Sequence, residues 1–173
     1  DRKLLIIGNA RHGKDTLAER LEFNFNLKFK SSSEAASEIF LYNKLKDKYG
    51  YKSPEECFED RVNHRQEWYE SICTYNDNDR ARLAKGILEL SDCYVGMRDR
   101  EEIEECLKQG LFDLVIWVDA SDRLPQEPLT SFNIDKSCAD IIIENNGTLE
   151  EFDAKIEKFG EIWIQEGRNR HGN

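Results

Sequence analysis

The sequence of 173 residues has no long hydrophobic run and no leader-like start. No apolar stretch approaches the ~20 residues that a membrane-spanning helix needs, so we expect no membrane partner. No basic segment followed by an apolar one stands at the amino terminus, and we therefore expect a cytoplasmic location.

Positive charge is also scarce. The chain has 25 Lys and Arg residues against 35 Asp and Glu residues, and its net charge is −10. Nucleic-acid binding depends on neutralising many phosphates, so we expect no nucleic-acid partner. Any local cluster of arginines is informative against this acidic background.

Cysteine and histidine are present without a pattern that indicates a disulfide framework or a zinc site. The five cysteines include no Cys-x-x-Cys pair, and they are predicted to be reduced and mostly buried. The three histidines lie too far apart in the sequence to suggest zinc. At this length the chain is predicted to form a single domain over 1–173.

The most informative stretch is a glycine-bounded loop that follows the apolar residues 4–7. A strand, this loop and a helix that opens with Gly-Lys form the context of a phosphate-binding P-loop. Its glycines let backbone N–H groups point at one anion, and Lys14 can reach the β and γ phosphates. We therefore predict nucleotide phosphates to bind at Gly8, Asn9, Ala10, Arg11, His12, Gly13, Lys14, Asp15 and Thr16. The alternative is a glycine-rich turn with a chance lysine.

The expected metal is Mg²⁺, but the usual P-loop pattern differs here. The residue after the lysine is normally Ser or Thr, whose hydroxyl binds Mg²⁺. This chain has Asp15 at that position and Thr16 one residue later. Both are candidate metal ligands, and the sequence does not decide between them.

Strands and helices alternate through most of the chain. Apolar runs predict strands at 3–7, 27–30, 93–97, 114–118 and 139–143, and capping signals predict helices at 31–49, 54–73, 100–109 and 148–166. The tail 167–173 is predicted to fray. The predicted fold class is α/β, with a parallel sheet of about five strands in a three-layer αβα arrangement. Residues 34–90 are predicted to form a helical insertion, and 119–137 a lid-like loop.

In parallel sheets of this kind, ligands bind at the carboxyl ends of the strands. The segments 8–16, 31–33, 96–99 and 119–123 are therefore expected to line one crevice. Ser31 is a candidate contact to the acceptor. Arg98 follows the third strand and is expected to contact the transferring or acceptor phosphate. Arg123 opens the lid-like loop and is expected to neutralise charge during phosphoryl transfer, although a solvated arginine is equally consistent with the sequence.

Arg61 and Arg65 are predicted to lie one turn apart on the helix 54–73. Two guanidinium groups at this spacing favour an anion between them, and a substrate phosphate suits their planar geometry. The alternative is pairing with nearby carboxylates on a solvated face. Trp68 can offer a stacking surface to an acceptor base, but an aromatic residue on a helix is more often part of the core.

These motifs together resemble the bacteriophage deoxynucleoside monophosphate kinases, within the P-loop nucleoside monophosphate kinase group. The Gly-Lys-Asp-Thr ending of the loop is typical of that group. Similar segments are 60–65 with Trp68, 94–98, 115–121 and 139–151, so the likeness extends over nearly the whole chain.

The resemblance implies a three-layer αβα P-loop kinase fold in which 34–90 is the helical acceptor-side insertion. It also implies ATP and Mg²⁺ as phosphoryl donor and metal, and a deoxynucleoside monophosphate as acceptor. For a protein of phage origin, the expected location is the cytoplasm of the host cell. Lys14, Arg98 and Arg123 would then be catalytic, and Ser31, Arg61, Arg65, Trp68 and Arg98 would bind the acceptor. Two alternatives stay open. One is a kinase of another phosphorylated metabolite, such as dephospho-coenzyme A, and the other is a non-catalytic nucleotide-binding module. A homodimer also stays open.

Overall fold

The centre of the molecule is strand β1 (Leu4–Ile7), whose four residues are all buried. A computed structural model describes residues 2–127 and 132–171. Within these ranges β1 lies in a five-stranded sheet of order β2-β3-β1-β4-β5, and each neighbouring pair is parallel. The other strands are β2 (Phe29–Ser31), β3 (Cys93–Val95), β4 (Leu114–Asp119) and β5 (Ile141–Glu144).

Helices cover both faces of this sheet. They are α1 (Lys14–Phe25), α2 (Ser32–Ala36), α3 (Tyr42–Tyr49), α4 (Pro54–Glu59), α5 (Arg65–Tyr75), α6 (Arg82–Leu90), α7 (Arg100–Lys108) and α8 (Leu149–His171). No helix among them is both long enough and apolar enough to cross a membrane.

The alternation of β1 side chains divides the core into two layers. Leu5 and Ile7 pack into a cluster that includes residues of α6 and α7, whereas Leu4 and Ile6 pack with α1 and α8. Successive residues of a strand point to opposite faces, so a strand covered on both sides is apolar throughout. The mixed α/β class and the five-stranded parallel sheet are confirmed, and the arrangement is compatible with three αβα layers.

The helical region between β2 and β3 agrees with the sequence prediction at its start. The Ser31 side chain accepts a hydrogen bond from the Glu34 backbone N–H, 3.2 Å away, and so caps α2. The chain then stays helical through a π-helical turn, Ser37–Leu41, and through α3. Gly50 follows with a φ of 72°, in the left-handed region that ends many helices.

The prediction of one continuous helix over 54–73 is wrong. After α4 the chain forms a 3-10 turn, Asp60–Asn63, and His64 leaves the helical region with φ −138° and ψ 36°. The cause is a cluster of hydrogen bonds on Asp60, whose carboxylate accepts from the Tyr51 hydroxyl at 2.6 Å and from His64 Nε2 at 3.0 Å. The bond from Tyr51 fixes the start of the 3-10 turn to the connection before α4.

The ends of two other segments also differ from the sequence prediction. The tail 167–173 is expected to fray, but α8 continues to His171, and residues 172 and 173 lie outside the described part of the chain. Trp163 of α8 packs in the hydrophobic core, and the Arg2 guanidinium lies 3.8 Å from the centre of the Trp163 ring. Of the lid-like loop 119–137, residues 128–131 lie outside the described part of the chain.

Candidate functional site

The loop between β1 and α1, residues 8–13, depends on glycine at both ends. Gly8 has a φ of +151°, and a Cβ atom there would lie 2.6 Å from the Val118 carbonyl oxygen. Gly13 has a φ of +117°, and a Cβ there would lie 2.7 Å from Asn145 Nδ2 and 3.1 Å from the Phe152 ring. Side chains at these positions would meet β4, the turn after β5 and α8, so glycine is required.

Lys14 lies at the start of α1 and folds back over this loop. Its Nζ donates to the carbonyl oxygens of Gly8, 2.7 Å away, and Asn9, 3.0 Å away. Burial and the nearby Arg98 guanidinium lower the pKa of Lys14 to about 8, although Asp15 acts in the opposite direction. Lys14 and Arg98 are therefore close enough to repel each other, which makes this region favourable for an anion.

His12 fixes the loop to the chain that follows β4. Its side chain is fully buried. Nδ1 accepts from the Ala120 backbone N–H at 3.0 Å, and Nε2 donates to the Pro125 carbonyl oxygen at 3.0 Å. These partners define a neutral imidazole with its proton on Nε2. The His12 side chain is thus a structural anchor and not a phosphate contact, and the His12 backbone N–H donates to the Asn9 carbonyl oxygen at 3.2 Å.

The loop and Arg98 converge on one carboxylate that sequence analysis missed. The Ala10 backbone N–H donates to Glu127 Oε1 at 2.6 Å, and the Arg98 guanidinium forms an ion pair with Glu127 Oε2. The Glu127 backbone N–H in turn donates to Asn9 Oδ1 at 2.8 Å. The Glu127 side chain is only 10% exposed. No local pattern around Glu127 indicates this contact, because its partners are about 30 and 117 residues away.

Arg98 comes three residues after β3, as the sequence predicted for a side chain at the carboxyl end of a strand. Its Cζ atom lies 5.3 Å from the centre of the Phe132 ring, and burial lowers its pKa. The next residue, Asp99, caps α7 by accepting a hydrogen bond from the Glu102 N–H. Arg98 and the β1–α1 loop are therefore brought together, whereas the Asp99 side chain serves as a helix cap.

The candidate metal ligands lie in the first turn of α1. Asp15 is exposed and Thr16 is half-buried. Within residues 2–127 and 132–171, no group of three or more His, Cys, Asp or Glu side chains could hold a metal ion. Mg²⁺ typically needs only one or two protein carboxylates and takes its other oxygens from phosphates and waters. The donor set of one carboxylate and one hydroxyl is compatible with such binding.

Asp119, at the end of β4, accepts hydrogen bonds from Ser121. Burial opposes the ionisation of its carboxyl group, but hydrogen bonds from Ser121 hold its pKa below the usual value. One of these bonds comes from the Ser121 backbone N–H, 2.9 Å from Oδ1. Asp119 therefore fixes the turn after β4.

The predicted acceptor residues are only partly brought together. Arg61 stacks on Phe58, with Cζ 3.9 Å from the ring centre, and donates to the Phe58 carbonyl oxygen at 2.9 Å. Arg65 is exposed at the start of α5, beyond the break at His64. The two arginines are thus not on consecutive turns of one helix. No contact among the described residues links either side chain to the β1–α1 loop.

Trp68 belongs to the hydrophobic core. Only 5% of the residue is exposed, and it packs in the cluster on the α6 side of the sheet. Its indole is therefore not a free stacking surface for a base, and the core alternative is the one that the structure supports. The hydroxyl of Ser31, as described above, caps α2.

Arg123 follows β4 and lies against the turn after β5. Its Nε donates to the Asn145 carbonyl oxygen at 2.9 Å, and the Asp122 backbone N–H donates to Asn146 Oδ1 at 3.1 Å. Asn145 Nδ2 also donates to the His12 carbonyl oxygen at 3.0 Å. This turn consequently connects Arg123 to the β1–α1 loop through Asn145.

Comparison with known proteins gives no further assignment: no protein-family model matches this sequence, and no curated protein matches it either.

Proposed function

We propose that this chain is an ATP-dependent (deoxy)nucleoside monophosphate kinase, similar to those of bacteriophages. The observation that carries the proposal is the convergence of the β1–α1 loop and Arg98 on one anionic group. The loop follows the central strand of a parallel sheet and precedes a helix that begins with Lys14. A glycine-rich loop in this position, with a lysine and an arginine beside it, suits a polyphosphate.

The proposed reaction needs charge neutralisation and positioning more than acid–base chemistry. An oxygen of the acceptor phosphate attacks the γ-phosphorus of ATP. The bond between that phosphorus and the β–γ bridging oxygen breaks, and ADP leaves with the electron pair. Lys14 and the Ala10 N–H would bind the donor phosphates, and Arg98 would bind the acceptor phosphate or the group in transfer.

Mg²⁺ would be held by Asp15 or Thr16 together with the phosphates. When bound, it would supply further neutralisation of the donor charge. Ser31, Arg61 and Arg65 remain proposed acceptor contacts. For Arg61 this requires the guanidinium to leave the Phe58 carbonyl to which it now donates. Arg123 would need to leave Asn145 in the same way to reach the transferring group.

The test is a coupled assay of ADP release with a panel of deoxynucleoside and ribonucleoside monophosphates and dephospho-coenzyme A. We expect release that depends on at least one nucleoside monophosphate. Release with dephospho-coenzyme A alone would indicate the alternative metabolite kinase. Binding of ATP without any acceptor-dependent release would indicate a non-catalytic module.

Lys14→Ala is the decisive variant. We expect it to remain folded and to lose at least about 100-fold in turnover, because it removes a charge that stabilises the transition state. Lys28→Ala is the matched control, since Lys28 is exposed and lies just before β2, away from the β1–α1 loop. Near-normal turnover in Lys14→Ala would contradict the proposed site.

A further inference from the structure

Glu127 occupies the space between two groups that the proposed function assigns to different substrates. Oε1 accepts from Ala10, on the loop proposed to bind the donor, and Oε2 pairs with Arg98, proposed to bind the acceptor. Both carboxylate oxygens are thus used, and the side chain is almost fully withdrawn from water. A carboxylate with a backbone N–H and a guanidinium as partners has the same kind of contacts that a phosphate oxygen pair makes.

The backbone of residues 125–127 is held in place by hydrogen bonds that do not involve the Glu127 carboxylate. The Glu127 backbone N–H donates to Asn9 Oδ1 at 2.8 Å, and the Pro125 carbonyl oxygen accepts from His12 at 3.0 Å. These contacts hold the backbone of the segment against the loop whatever the side chain of residue 127 is. The carboxylate can therefore turn away from Ala10 and Arg98 while the backbone keeps its position.

The geometry points to Glu127 as an internal competitor that occupies the position of a substrate phosphate and that the nucleotide must displace. This inference rests on the proposed function and adds a specific residue to it. A side chain and a ligand that use the same partners exclude each other. The apparent affinity for the ligand is then reduced by the fraction of molecules in which the side chain occupies the site.

Glu127→Gln is the appropriate variant because it keeps the shape of the side chain and removes the charge that pairs with Arg98. The backbone contacts to Asn9 and His12 are unchanged in it. Asp122→Asn is the matched control, because it makes the same change of charge in the same segment. Asp122 is exposed, and its side chain has no hydrogen-bond or ion-pair partner within residues 2–127 and 132–171.

Binding of ATP and of inorganic tripolyphosphate is measured by calorimetry for the full chain and for both variants. We expect Glu127→Gln to bind both ligands about tenfold more tightly than the unmodified chain, because the competing charge is gone. Asp122→Asn should stay within about twofold, since it changes only the general charge of the region. Tripolyphosphate has no base, so a gain with both ligands assigns the effect to the phosphate position.

The outcomes separate this inference from the proposed function. If the unmodified chain binds ATP and Glu127→Gln binds it equally or less tightly, Glu127 is not a competitor and the inference is overturned, while the proposed function stands. If neither the unmodified chain nor Glu127→Gln binds ATP, the proposed function and the inference both fail. Equal gains in Glu127→Gln and Asp122→Asn would also overturn the inference, since a general charge effect would then be sufficient.

Discussion

The buried His12 imidazole accepts a hydrogen bond from the Ala120 backbone N–H, with 3.0 Å between Nδ1 and the nitrogen. This bond joins the loop after β1 to the first residue after β4, and the second ring nitrogen extends the connection to Pro125. One neutral side chain thus holds two neighbouring strand ends in register. The shape of the candidate site depends on it.

We expect His12→Ala to lower the free energy of unfolding by about 2–4 kcal/mol. The substitution leaves a cavity and removes the only side-chain acceptor described for the Ala120 N–H. His12→Asn is the matched comparison, since its Oδ1 can replace Nδ1 as an acceptor, and it should recover about 1 kcal/mol. Urea unfolding followed by circular dichroism measures both. A loss below about 0.5 kcal/mol in His12→Ala would contradict the anchoring role.

If ATP binds as proposed, the low pKa of Lys14 predicts how its affinity depends on pH. Burial and Arg98 lower this pKa to about 8, and a bound polyphosphate would raise it by favouring the charged form. Affinity should therefore be constant below about pH 8 and fall by up to roughly tenfold per pH unit above it. Titrations between about pH 7.5 and 9.5 measure this.

Lys14→Arg provides the control, because arginine stays protonated over this whole range. Its affinity for ATP should be nearly independent of pH, whatever its absolute value. An equally steep loss in Lys14→Arg would show that another group is responsible. A flat profile in the unmodified chain would contradict the assignment to Lys14.

Glu102, in the first turn of α7, gives a prediction about stability. Burial and the neighbouring Asp99 raise its pKa to about 7, although hydrogen bonding to Tyr94 acts in the opposite direction. The folded state therefore binds more protons than the unfolded state between about pH 4.5 and 7. This group consequently contributes no penalty below about pH 4.5, and its destabilising effect grows as pH rises from there to about 7 and is constant above that.

Glu102→Gln should remove this penalty and retain an acceptor for the Tyr94 hydroxyl. We expect it to be more stable than the unmodified chain by about 1–3 kcal/mol at pH 8, with little difference at about pH 4.5. Glu104→Gln, at an exposed position of the same helix, should show no such trend. Thermal unfolding at both pH values measures the difference, and a constant difference between them would contradict the prediction.

The parts of the fold that the sequence predicted are those determined locally. A buried parallel strand reads as a continuous apolar run, as in Leu4–Ile7, and the caps at Ser31 and Asp99 involve residues only three positions apart. The break at His64 depends on Asp60 and on Tyr51, which belongs to the connection before α4. Helical periodicity contains no information about such a contact.

The candidate site was predictable to the same extent. Gly8, Gly13 and Lys14 have positions that a short motif defines, and Arg98 follows from the rule about strand ends. The role of Glu127 follows neither from a motif nor from that rule, because its contacts with Ala10 and Arg98 exist only once β1, β3 and β4 have assembled. The burial of Trp68 likewise depends on which face of α5 meets the core.

Gly13 has a consequence for the order in which the protein becomes functional. Asn145 and Phe152 enclose this residue, and the Asn145 side chain also bonds to the His12 carbonyl oxygen. Ribosomes make residues 8–13 first and these two partners well over a hundred residues later. A nascent chain that has not yet completed α8 consequently lacks the residues that enclose this loop, so the proposed nucleotide binding would have to await the final helix.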